Sequence, residues 1–159
     1  MDPGLVYNIT HHDYVTFLCV IGYGPRLIQV ITGSPPNCPR RRPLPENLNY
    51  PSFVAVLPVS SSSSLLSKTF FRTVTNVGPP RAVYRVRVET QAEGVVVTVR
   101  PSQLVFSEAV KKRSFVVTVT ADGRNLELGQ AGAVFGSLSW TDGKHVVRSP
   151  IVVTQAQPL

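Results

Sequence analysis

Three histidines, a run of serines and nine acidic residues are the side chains from which hydrolytic chemistry can be built in this chain. A Ser-His-Asp site is carried in several folds by a recognisable nucleophile segment, such as the strained G-x-S-x-G turn. No such pentapeptide occurs, and no Gly-Thr-Ser segment opens an apolar helix. His11 and His12 are adjacent, so on a helix they point to different sides and form no clamp. They read as solvated residues of a helix cap, with Asp13 as the carboxylate favoured at a helix N-terminus. His145 follows an Asp-Gly turn and reads as a surface residue at a strand end. Cys19 and Cys38 permit one pairing, which would contribute about 3 kcal/mol in an oxidising compartment. Without histidines at ligand spacing they make a poor metal site, and no cofactor is expected. Asn8-Ile9-Thr10 is an N-glycosylation acceptor sequence, relevant only if the chain enters the secretory pathway.

The elements that would position these residues come in two kinds. Thr10 with Asp13 resembles a capping box, and Tyr14, Phe17, Leu18 and Ile21 follow at helical spacing. Pro25 suits the first position of a second helix, with Leu27, Ile28 and Ile31 on its apolar face and Gly33 ending it. Helices this short need a surface to pack on. A proline- and arginine-rich linker over 34–47 separates them from the rest.

Beyond the linker the pattern is β. Phe53–Leu57 is a short apolar strand, and Ser60–Ser64 reads as a flexible loop. Phe70–Asn76 and Arg81–Val88, joined by Val-Gly-Pro-Pro, are expected to pair as antiparallel strands. Tyr84, Val86 and Val88 alternate with Arg85 and Arg87, giving the second strand an apolar and a basic face. Phe70 and Phe71 cannot both face inward in a regular strand, so a bulge near Phe71 would reconcile them. Gly94–Val99 suits burial on both faces, and Leu104–Phe106 reads as an edge. Ser114–Thr120 follows, and 122–132 reads as a loop. Val134–Trp140 and His145–Val153 flank Asp142-Gly143, a strong hairpin signal. About seven strands at this spacing predict a mainly β fold: a fibronectin III- or immunoglobulin-like sandwich over 48–155, behind a helical segment over 1–33.

The bulk properties exclude some classes. No apolar run is long enough to span a membrane, and positions 1–30 lack the basic and apolar regions of a signal peptide. The net charge of +7 is scattered and lacks a recognition motif, so nucleic acid is not an expected partner.

The order of segments resembles the C-terminal part of plant subtilisin-like serine proteases (subtilases). The resemblance runs through Asp2-Pro3-Gly4-Leu5-Val6-Tyr7, Asp13-Tyr14-Val15, Phe17-Leu18-Cys19, Gly22-Tyr23 and Cys38. It continues through Leu48-Asn49-Tyr50-Pro51-Ser52 and Arg72–Gly78 to Gly136–Trp140, Asp142-Gly143, His145 and Val147–Val152. It implies that 2–33 is the end of a protease domain or its junction, and that 48–154 is a fibronectin III-like domain that supports the enzyme. The family's catalytic residues lie upstream, so no catalytic residue carries over. It also implies a subtilase protease domain as partner, in cis or in trans, and an extracellular (apoplast) location. Met1 stands where the family has an internal residue, so a chain translated alone is expected to stay inside the cell.

On this reading Tyr14, Phe17, Leu18, Ile21, Leu27, Ile28 and Ile31 form an apolar surface facing the protease domain. The alternative is a stand-alone basic sandwich that uses Arg81, Arg85, Arg87 and Arg100 to hold an acidic partner such as a polysaccharide.

Overall fold

The computed structural model describes residues 2–41, 43–58, 65–90, 94–122 and 132–156. The expected loops at Ser60–Ser64 and over 123–131 lie outside the described residues. In chain order the elements are β1 (Leu5–Tyr7), α1 (His11–Val20), α2 (Pro25–Thr32), a 3-10 turn at Pro45–Asn47, β2 (Phe53–Leu57), β3 (Leu65–Asn76), β4 (Ala82–Thr90), β5 (Val95–Arg100), β6 (Gln103–Phe106), β7 (Lys112–Asp122), β8 (Ala133–Thr141) and β9 (Val146–Gln155). The fold is mainly β, with about nine strands in two sheets and two short helices among the described residues.

One sheet has the order β1-β3-β7-β5, and the other β2-β9-β8-β4-β6. All pairs are antiparallel except β2 with β9. The hairpin at Asp142-Gly143 forms as its sequence predicts, with Thr141 opposite Val146 and Gly143 at φ 91°. The core lies between the sheets. Phe115 and Trp140 meet edge to face across it at 5.1 Å, as do Phe53 and Phe70 at 5.5 Å. Such pairs add to the stabilisation from burial alone.

The expected hairpin of β3 with β4 does not form: the two strands lie in opposite sheets. The free edge of β3 is taken by β1, with Leu5 opposite Asn76 and Tyr7 opposite Val74. The Val77 and Gly78 amides donate to the Gly4 carbonyl, and Asn76 Nδ2 donates to the Pro79 carbonyl at 2.6 Å. These bonds turn the chain out of one sheet and carry it across to the other. No bulge is needed at Phe71 either. The β3–β7 register runs unbroken through Phe70, Phe71 and Arg72, so Phe70 is buried and Phe71 is exposed. β5 is an edge strand, which leaves Val96 exposed where burial on both faces was expected.

The helices begin and end where the sequence predicts. Thr10 caps α1 in a reciprocal capping box with Asp13, and the Thr10 amide and hydroxyl hold the Asp13 carboxyl below the usual carboxylate range. Pro25 opens α2, and Gly33 closes it in the left-handed conformation that glycine tolerates best. Val15, Cys19 and Ile28 form a small core of their own.

Candidate functional site

The helical pair presents apolar side chains to solvent. Tyr14, Ile21, Leu27 and Ile31 are all exposed, with Leu27 at 55% and Ile31 at 57%. Tyr23 and Val30 are exposed as well. Phe17 and Leu18 are half-buried. Ile28 departs from the expected surface: it is fully buried against Val15 and Cys19, on the side of α2 opposite the solvent. A Cys19–Cys38 disulfide ties α1 to the linker. Between α1 and the sandwich lies a groove of about 550 Å³, lined by Tyr14, Phe17, Tyr50, Val54, Val56 and Phe70 among others. Val54 and Val56 reach it because β2 alternates, burying Phe53, Ala55 and Leu57 and turning the two valines outward.

Polar bonds join this region to the sandwich. Where β1 stops at Tyr7, side chains continue the pairing along β3. Asn49 Oδ1 accepts from the Thr73 amide at 2.8 Å, and Asn49 Nδ2 donates to the Thr73 and Asn8 carbonyls. Asn47 Oδ1 accepts from the Phe71 amide at 3.1 Å. The two asparagines thus satisfy backbone groups of a strand edge that would otherwise invite another chain.

Arg72 shares the inward face of β3 with Phe70 and Val74 and is 4% exposed. It donates to the carbonyls of Glu46, Tyr50, Ser52 and Phe71 at 2.8–3.0 Å. Its guanidinium stands 4.9 Å from the Phe53 ring centre, a favourable cation–π distance. Burial lowers its pKa to about 10, partly offset by nearby Tyr7, so it stays charged at neutral pH. Arg72 is a clamp that holds 46–52 on the sandwich. Its position in the alternation with Phe70 and Val74 was the available signal that it points inward.

At the other end of β1, His145 is buried, contrary to its reading as a surface residue. Its Nδ1 lies 2.9 Å from Asp142 Oδ2, and its Nε2 lies 3.3 Å from Asp2 Oδ2. Asp142 Oδ1 also accepts from the Lys144 and His145 amides. Burial alone would raise the Asp142 carboxyl, but these donors hold it well below the usual range. Gly4 packs so close that an added Cβ would sit 2.6 Å from the Tyr84 hydroxyl and 2.9 Å from the His145 Cβ. Both ring nitrogens face carboxylates, so neither is free to activate a serine. The cluster pins the start of β1 to the β8–β9 turn. His11 and His12 are exposed on α1, far from this arrangement in sequence and on a different element.

Residues 47–153 match the family model described as Fibronectin type-III domain. The chain belongs to that family. The fibronectin type-III domain thus covers β2 to β9, while β1, α1, α2 and the linker precede it. Among curated proteins of Arabidopsis thaliana, the whole chain is 62% identical to Subtilisin-like protease SBT1.6, covering 21% of it. It is 44% identical to Subtilisin-like protease SBT1.5 over the whole chain, covering 20% of that protein. Subtilisin-like protease SBT4.12 is 40% identical over 96% of the chain. The region matched is C-terminal in these proteases, as the resemblance predicts. The chain spans about a fifth of the length of these curated relatives.

Proposed function

We propose that this fibronectin type-III domain is a non-catalytic C-terminal part of a subtilisin-like serine endopeptidase, and that it supports and stabilises the protease domain. The observation that carries this reading is the exposed apolar face of Tyr14, Ile21, Leu27 and Ile31, on helices whose own core is only Val15, Cys19 and Ile28 among the described residues. A face of this kind marks a partner surface. Residues 2–33 act as the junction; β1 pairs it to β3 of the sandwich, and the disulfide ties α1 to the linker. The relatives are plant proteases, which favours an extracellular, oxidising location where the Cys19–Cys38 bond persists.

The test mixes the purified chain with a plant subtilisin-like protease domain prepared without its own C-terminal region. Thermal inactivation of the protease should slow when the chain is present. A Leu27→Glu/Ile31→Glu double variant should keep its circular dichroism and lose the effect. Equal protection by the variant, or none by the wild type, would sink the docking role. A serine-reactive phosphonate should leave the chain unlabelled, and labelling would overturn the non-catalytic assignment.

A second reading rests on the exposed pair Arg87 and Arg148, which flank Ser139 across adjacent strands. An acidic polysaccharide would bind such a row, and its affinity would fall steeply with salt. Arg81 and Arg87 already have Glu108 and Glu89 as neighbours, and Arg100 belongs to the other sheet, so the four arginines do not form one face. Binding insensitive to salt would end this reading.

A further inference from the structure

Asn8 follows the last residue of β1, and Thr10 is the cap of α1. Asn8-Ile9-Thr10 is the one Asn-x-Ser/Thr acceptor in the sequence. The Asn8 side chain is exposed and makes no hydrogen bond among the described residues. Asn47, Asn49 and Asn76 differ: their side-chain amides are all engaged with backbone groups. The Asn8 backbone is held in place, since its carbonyl accepts from Asn49 Nδ2 at 3.0 Å. The site is therefore a fixed backbone presenting a free amide.

Thr10 is the opposite. Its hydroxyl donates to Asp13 Oδ2 at 2.8 Å and accepts from the Asp13 amide at 3.3 Å. An oligosaccharyltransferase reads the threonine hydroxyl of its acceptor, and in the folded chain that hydroxyl already serves the helix cap. We propose that Asn8 carries an N-linked glycan and that its attachment precedes closure of the α1 cap. The proposal rests on the reading that the chain passes through the secretory pathway. In the transfer, Asn8 Nδ2 bonds to the anomeric carbon of a lipid-pyrophosphate-linked oligosaccharide. The bond from that carbon to the phosphate oxygen breaks, the lipid pyrophosphate leaves with the electron pair, and Nδ2 gives up one proton. The glycan then stands at the rim of a groove of about 720 Å³ that Asn8 lines with Leu44, Phe71 and Pro101.

The test translates the whole chain behind a supplied secretory signal into endoplasmic-reticulum microsomes. The wild type should gain the mass of one glycan, removable by peptide-N-glycosidase F. Asn8→Gln should lose it and Thr10→Ser should keep it. Thr10→Asn should lose it while leaving a neutral side chain that can still cap the helix, which separates loss of the acceptor from loss of folding. Offered to a purified oligosaccharyltransferase, the reduced and unfolded chain should be modified at least tenfold faster than the folded one. No glycosidase-sensitive shift in the wild type, or a shift that survives in Asn8→Gln, overturns the site. Equal rates for folded and unfolded chain overturn the order of events. Because the signal is supplied, failure here is distinct from failure of the protease-docking role, which the Leu27→Glu/Ile31→Glu variant reads.

Discussion

Between its sheets the sandwich gathers Trp140, Tyr84, Phe53, Phe70 and Phe115 with fifteen other buried side chains, whereas α1 and α2 enclose Val15, Cys19 and Ile28 among the described residues. The sandwich closes its core by facing two alternating surfaces, each covering the other. The helical pair has no second layer, so half of its apolar side chains face solvent and a covalent bond to Cys38 makes up part of the deficit. One region is stable through burial, and the other through attachment.

The comparison breaks most visibly at the centre of the sandwich. Trp140→Ala should cost about 3–5 kcal/mol, because a large cavity opens where the ring meets Phe115. Urea denaturation followed by tyrosine fluorescence would show it, and a loss under 1 kcal/mol would mean the core is not shared between the sheets. Replacing both Cys19 and Cys38 with serine should cost about 3 kcal/mol, felt in the helical pair. Hydrogen exchange should quicken in α1 and α2 while β3, β7 and β8 keep their protection. Uniform loss of protection would show that the two regions fold as one.

The joints come next. Arg72→Leu should cost about 2 kcal/mol by stranding the carbonyls of Glu46, Tyr50 and Ser52, and should free 46–52 before the sandwich unfolds. Proteolysis in that segment is the readout, and unchanged cleavage would deny the clamp. Asp142→Asn should have the smallest effect, on the order of 1 kcal/mol. The folded state holds the Asp142 carboxyl low. Its contribution is therefore fully present above the ordinary carboxylate pKa and lost as pH falls through and below it. The wild type should lose stability on acidification more steeply than Asp142→Asn, and parallel curves would remove the anchor's role.

Much of this was legible in the residues. Period-two alternation marks the strands, Thr10 with Asp13 marks a cap, and Asp142-Gly143 marks a hairpin, because each is set by backbone chemistry over a few residues. That β3 does not pair with β4 was not legible. Alternation says which face of a strand is apolar and nothing about which strand lies beside it. The neighbour that β3 takes is β1, three residues long and more than sixty positions upstream. The burial of His145 was hidden for the same reason: its partner Asp2 lies at the far end of the chain.

The sequence by itself determined most of the elements, though neither β1 nor the 3-10 turn at Pro45–Asn47, together with the apolar faces of strands and helices and the absence of a nucleophile motif, since those depend on local spacing. Only the tertiary structure decided that Phe71 faces out and Arg72 in, that Asn47 and Asn49 complete the edge of β3, and that Ile28 is core while Leu27 and Ile31 are surface. The physical reason is that burial belongs to pairs of elements. A side chain becomes interior when something distant covers it, and on the outer side of α1 and α2 nothing within the described residues does.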